Sequence, residues 1–259
     1  MVDRKLLEET LSLAAQYLEG LPDRPVGARD SVAELRERLR IPLPERGTEP
    51  GTVVRDLARD ADGGLVACAG PRYFGFVTGG SLPASLAADW LASAWDQNAV
   101  LSIASPAAGV VEETLCDWIL ELADLPRESS VGFVTGCQMA NFTCLAAARH
   151  EVLRQAGWDV EALGLFGAPP VTVVAGEEAH ATLFVALRML GLGTDRVIRV
   201  AADGQGRMDP MALEQALGGV TGPLVVCLQA GNVNTGAFDP CEKLIPLARA
   251  KGAWVHVDG

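Results

Sequence analysis

Leu7, Leu11, Ala14 and Leu18 recur at steps of four, three and four, a stagger that sets them on one face of an amphipathic helix. A second helix is expected to open at Ser31, because Ser31-Val32-Ala33-Glu34 has the form of a capping box and Val32, Leu35 and Leu39 follow on one stripe. Pro42, Pro44 and Pro50 then read as breaks in regular structure. Helices are predicted from about Pro83 to Trp95 and from Pro106 to Leu122, the latter with Val111, Leu115, Trp118 and Leu122 as its buried stripe. Tyr73, Phe74 and Phe76 sit in an apolar run that reads as core packing, with the lining of an aromatic pocket as the other reading.

From Val131 onward the texture changes to short runs rich in Val and Ile, punctuated by Gly and alternating with helical patterns. Strands are predicted at Val131–Thr135, Val171–Ala175, Arg196–Val200, Leu224–Leu228 and Ala253–Val257. Helices are predicted between them at Ala140–Leu153, Ala181–Leu190, Pro210–Leu217 and Pro240–Lys251. Strands without polar alternation are buried on both faces, and alternation with helices means parallel crossovers. The fold class is therefore α/β with a mostly parallel sheet, in which ligands bind outside the carboxyl ends of the strands.

Composition narrows the function classes. In 259 residues, 49% are hydrophobic and 21% charged, enough for a real buried core and unlike a disordered chain or a miniature disulfide scaffold. Lys and Arg total 21 against 33 Asp and Glu, and a net charge of −12 repels phosphate backbones, so a nucleic-acid partner is not expected. The first twenty residues scatter acids through their apolar pattern, unlike a secretory signal, and no apolar run is long enough to span a bilayer. A soluble, cytoplasmic protein without a membrane partner is expected. The six cysteines lack any C-x-x-C pair and read as reduced core residues. With three histidines and no H-E-x-x-H, no metal site is expected.

The chemistry is sought at the strand ends. After the first run comes Thr135-Gly136-Cys137-Gln138-Met139-Ala140-Asn141, where Gly136 permits a tight turn and the N–H groups at about Cys137 and Gln138 open a helix as an anion site. An ordinary strand-to-helix turn explains the same spacing. After the second run His180 faces the crevice from the start of a helix, where an imidazole can stack on an aromatic ligand or exchange a proton; a bland residue at a helix start is the competing reading. The fourth run ends in the polar loop Gln229–Gly236, which contains Asn232 and which turn chemistry alone would explain. The fifth ends at Asp258, either a simple cap or a carboxylate set against a cationic heteroaromatic nitrogen. The four sites share one edge.

In this order, T-G-C-Q-M-A-N with A-A-A-R-H behind it, A-H-A-T before a helix, G-N-V-N-T-G-A-F-D-P and H-V-D-G resemble the pyridoxal-phosphate-dependent group II decarboxylases, which act on aromatic amino acids, histidine and glutamate. Pro71–Thr78 with Ser81-Leu82-Pro83, and Ser105-Pro106-Ala107 through Glu112 to Asp117-Trp118, are similar to that family's N-terminal region. The resemblance implies a fold of the type I pyridoxal-phosphate transferase kind, like that of aspartate aminotransferase. Residues 1–81 would form a helical N-terminal segment, and residues 82–259 an incomplete cofactor-binding large domain. It implies pyridoxal 5'-phosphate as cofactor, an L-amino acid as substrate, loss of carbon dioxide as the reaction, and a homodimer as the complete enzyme. By position, Gly136, Cys137 and Gln138 would hold the cofactor phosphate, His180 would stack on the ring and serve the substrate carbanion, and Asp258 would pair with the ring nitrogen. Asn232 would lie near the cofactor and Thr78 would contact the substrate.

Two departures stand out. Cys137-Gln138-Met139 replaces the family's usual G-G-S or A-S-E, so an amide stands where a hydroxyl commonly binds phosphate. The chain also closes at Trp254-Val255-His256-Val257-Asp258-Gly259, short of the family's Schiff-base lysine, which Lys243 and Lys251 do not match. The expectation is the N-terminal part of a longer enzyme, inactive and poorly stable alone. Another pyridoxal-phosphate enzyme such as an aminotransferase, and a non-catalytic truncated homologue, remain as alternatives. A nucleotide-binding Rossmann domain ranks last, since Gly191-Leu192-Gly193 is a fragment of its motif and follows a helix.

Overall fold

A computed structural model describes residues 3–259, and the chain divides by packing into two compact units, Met1–Val110 and Val111–Gly259. The first unit begins with α1 (Arg4–Gly20), where Asp3 accepts the N–H of Leu6. Next is α2 (Val32–Leu39). Its expected capping box is present: the Ser31 hydroxyl accepts the Glu34 N–H at 3.3 Å, and the Glu34 carboxylate accepts the Ser31 N–H at 2.7 Å.

Pro50, expected to break structure, instead opens α3 (Pro50–Ala61). A proline in the first turn gives up an N–H that has no helical partner anyway, and Glu49 accepts the next two, from Gly51 at 2.8 Å and Thr52 at 2.7 Å. Arg55 on α3 donates to Glu9 on α1 at 2.8 Å. Then come α4 (Pro83–Trp95) and α5 (Pro106–Leu122), with the bounds that the pattern predicts.

The α5 stripe is not buried. Val111, Leu115, Trp118 and Leu122 are all exposed, and among the helix's residues only Leu120 is buried. Periodicity identifies an apolar face but carries no information about what covers it. Phe74 and Phe76 are likewise more than nine-tenths exposed, so that segment is not core.

The second unit is layered. After α5 come α6 (Cys137–Gln155), α7 (Val160–Leu163), β1 (Thr172–Gly176), α8 (Ala181–Met189), β2 (Ile198–Val200), α9 (Pro210–Leu217), β3 (Leu224–Gln229), α10 (Cys241–Arg249) and β4 (Trp254–Asp258). The four strands form one parallel sheet in the order β2-β1-β3-β4. Alternation along the strands divides the core: Val173, Ala175, Val225 and Cys227 pack with α6 and α8, whereas Val174, Leu224, Val226 and Leu228 pack with α9 and α10. Burial on both faces is why these strands read as unbroken apolar runs.

The expected first strand, Val131–Thr135, is irregular, and Phe133 and Val134 are exposed. Its β-branched content fits a pleat, but a strand also needs a neighbour's N–H and C=O groups, and this run pairs with no described strand. The cysteines also depart from expectation. All six are free, but Cys68, Cys137 and Cys144 are exposed and only Cys227 is fully buried. Among the described residues, no helix is long and apolar enough to cross a membrane.

Candidate active site

The carboxyl ends of β1, β3 and β4 and the starts of α6 and α8 meet at one edge of the sheet. Gly136 precedes α6 with φ 94°, a left-handed value that a residue with a Cβ adopts only under strain, and no side chain caps the helix. The N–H groups of Cys137 and Gln138 therefore point out of the first turn with no intrahelical acceptor. Gln138 Nε2 donates one of its two hydrogens to the Thr182 carbonyl at 3.2 Å, leaving the other and the backbone N–H for an anion.

His180 caps α8. Its Nδ1 accepts the Thr182 N–H at 3.3 Å and lies 2.7 Å from the Thr182 hydroxyl, while the ring is exposed. With Nδ1 accepting a backbone N–H, the neutral ring carries its proton on Nε2. The cap is the bland role, and it also fixes which nitrogen is left for chemistry.

Asp258 ends β4 opposite Gln229 and lines a small crevice with Gly176, Ala179, Cys227 and Gln229. Its Oδ1 accepts from Asn141 Nδ2 at 3.1 Å, and no described residue donates to Oδ2. Burial, and next the Asp258 charge, push the Cys227 thiol up to about 12, so it stays neutral beside the carboxylate.

Asn141, absent from the candidates above, joins these groups. It lies one helical turn beyond Cys137 and is buried. Its Nδ2 donates to Asp258 and, at 3.4 Å, to the Thr182 hydroxyl that contacts His180. Its Oδ1 lies 2.7 Å from Nε2 of His256, also buried. A carboxylate only accepts, so Asn141 must turn its amide N–H toward Asp258 and its carbonyl toward His256. Neutral His256 must then hold its proton on Nε2. Burial keeps the His256 pKa below the ordinary histidine value, against the pull of the Asp258 charge.

Asn232 has a different place. Its Oδ1 accepts the N–H groups of Asn234 and Thr235, and its Nδ2 donates to Glu178 at 3.3 Å, so the buried side chain organises its own loop. A Cβ on Gly206 would run into that amide. Asp239, also missed, is buried and accepts the N–H groups of Met208 and Gln229, each at 2.7 Å, tying that loop to the end of β3. Thr78 belongs to the first unit, is exposed, and follows Phe76 and Val77, both in left-handed conformations. Among the described residues, no group of three or more His, Cys, Asp or Glu side chains is placed to hold a metal ion.

Residues 33–259 match the pyridoxal-dependent decarboxylase conserved domain. The chain belongs to the pyridoxal-dependent decarboxylase family. It is 27% identical over 260 residues to an aromatic-L-amino-acid decarboxylase of Bacillus atrophaeus, covering 99% of this chain and 52% of that one. An L-2,4-diaminobutyrate decarboxylase of Rhizobium meliloti (strain 1021) is 32% identical over 221 residues, covering 84% of this chain and 42% of that one. The crystal structure of Oryza sativa TDC with PLP and tryptamine superposes with a TM-score of 0.86 at 25% identity, over 98% of this chain and 54% of that one. The glutamate decarboxylase domain of a Vibrio parahaemolyticus protein, at 21% identity and a TM-score of 0.90 over 98% of this chain and 57% of that one, adds support for the fold. The chain thus spans about half the length of the curated relatives it matches.

The decarboxylase family implies pyridoxal phosphate, and the residues present fit it. The uncapped first turn of α6 offers N–H donors to a phosphate, His180 offers an exposed flat ring, and Asp258 has an acceptor oxygen to spare for a ring N–H.

Proposed function

We propose that this chain provides the cofactor-binding half of a pyridoxal-phosphate-dependent L-amino acid decarboxylase, with residues 82–259 as the cofactor-binding part. The observation that carries this reading is the meeting of Asp258, His180 and the start of α6 at one sheet edge, joined through Asn141 and Thr182. When bound, the cofactor supplies an electron sink for the bond broken at the substrate's α-carbon. The backbone N–H groups of Cys137 and Gln138 hold the phosphate with the helix dipole behind them. Asp258 Oδ2 accepts the ring N–H and keeps that proton in place. His180 would stack on the ring and hold a proton at Nε2 for the reacting carbon. Asn232 shapes the loop beside the site, and Thr78 contacts the substrate.

A homodimer in the cytoplasm completes the reading. The exposed apolar side chains of α1, α4 and α5, among them Leu11, Trp95 and Trp118, support a second copy as partner. Sedimentation at increasing concentration should show dimer formation, and a monomer throughout would count against it.

Cys137 and Cys144 provide the test of cofactor binding, since both are exposed thiols on the same helix. Pyridoxal phosphate should slow alkylation of Cys137 several-fold and leave Cys144 unchanged; equal rates at both, with and without cofactor, overturn the site. In a longer protein carrying this chain, Asp258→Ala should lower decarboxylation by orders of magnitude with the fold intact.

A further inference from the structure

Asn141 commits both amide hydrogens and its carbonyl inside the site. One amide hydrogen goes to Asp258 Oδ1 at 3.1 Å, the other to the Thr182 hydroxyl at 3.4 Å, and the carbonyl faces His256 Nε2 at 2.7 Å. An amide buried for helix packing alone has no need of three polar partners on two other elements, Asp258 and His256 on β4 and Thr182 at the start of α8. Thr182 passes the connection to His180 Nδ1 at 2.7 Å.

We propose that Asn141 is a positioning residue, oriented by His256, that sets the Asp258 carboxylate for the ring nitrogen and, through Thr182, sets the His180 imidazole. This rests on the cofactor reading above and extends it. The amide cannot rotate by half a turn without presenting its carbonyl to a carboxylate and its N–H groups to an imidazole N–H. With Oδ1 held by Asn141, Oδ2 is left without a donor among the described residues, on a side chain that lines the crevice. This orientation requires a proton on His256 Nε2, facing the Asn141 carbonyl inside the buried site.

Two measurements test it on the 259-residue chain. Long-range proton–nitrogen NMR of the three histidines should show His256 as the Nε2–H tautomer, and an Nδ1–H tautomer overturns the relay. Equilibrium binding should then compare pyridoxal phosphate with its carbocyclic analogue, in which C–H replaces the ring nitrogen. Asn141→Ala should weaken pyridoxal phosphate about tenfold and the analogue hardly at all, with Asn141→Asp worse than alanine because it sets a second carboxylate against Asp258. Asp258→Ala is the reference. If it discriminates between the two ligands and Asn141→Ala weakens both equally, Asn141 is structural and the proposal fails. If Asp258→Ala itself does not discriminate, it is the cofactor reading that fails, and the His256 tautomer still decides whether the relay exists. Should Asn141→Ala not fold, Thr182→Val is the second variant: it should shift the His180 nitrogen resonances, and unchanged resonances overturn the connection to His180.

Discussion

The sheet with its packed helices and the first unit treat apolar side chains in opposite ways. In the second unit Leu187, Leu213 and Val226 are fully buried between the sheet and its helices. In the first, Leu11, Trp95 and Leu57 lie more than half exposed, and Leu21 and Ala67 are its buried hydrophobic residues among those described. One half is held by a closed core. The other is held by caps and ion pairs, such as the Ser31–Glu34 box and the pairing of Arg24 and Arg29 with Asp62. Surface ion pairs contribute little each, so the contrast predicts that stability resides in the sheet unit, where the candidate site is also built.

That contrast can be broken most directly by truncation. Leu187→Ala should cost about 2–5 kcal/mol in urea unfolding, because the removed atoms leave a cavity in a fully packed core. A loss under 1 kcal/mol, an order-of-magnitude bound from the same mechanism, would show that the core is looser than it looks. Asp239→Asn should cost about 1–3 kcal/mol, since an amide cannot accept both the Met208 and Gln229 N–H groups. A smaller, pH-dependent effect should come from His256. Burial lowers its pKa in the folded state, so the unfolded chain binds the proton more tightly. The stability from keeping His256 neutral is fully present above the ordinary histidine value and is lost as the pH falls through that value toward the lower folded one. His256→Gln should flatten this part of the pH–stability curve.

In the first unit, Ser31→Ala should cost about 1 kcal/mol by helical circular dichroism and urea titration, the worth of one cap. Leu11→Ser, at a side chain already more than half exposed, should change stability by less than about 0.5 kcal/mol. If Leu11→Ser proved as costly as Leu187→Ala, the two halves would not differ in the way described.

Sequence reading recovered the elements whose signals are local. Pro83, Pro106 and Pro210 each begin the helix that their position announces, and four of the expected strands pair where the apolar runs place them. It failed where the deciding partner is remote. Val131–Thr135 has the composition of a strand but no ladder, and the α5 stripe has helical period but no cover. Pro50 reads alike as breaker or first helical residue until Glu49 is seen accepting the following N–H groups.

The meeting of the α6 start, His180 and Asp258 at one sheet edge was legible in the sequence, but what joins them at the centre was not. Two signals for the centre were present. Asn141 follows Cys137 by four residues, on the same side of a helix, and His256 precedes Asp258 by two, on the same side of a strand. A buried amide and a buried imidazole in otherwise apolar segments need partners, and the edge where Asp258 ends is where those partners are found.

The sheet's strand order also bears on how the chain assembles. Val174 pairs with Val226 at the centre, and everything between them, including β2 and α9, is the loop that this contact must close. Such distant pairing is slow, because the chain gives up its freedom before the contact rewards it. On a ribosome β1 would emerge long before its central partner, with an apolar edge available to other nascent chains, so expression at lower temperature or with chaperones should raise the yield of native protein.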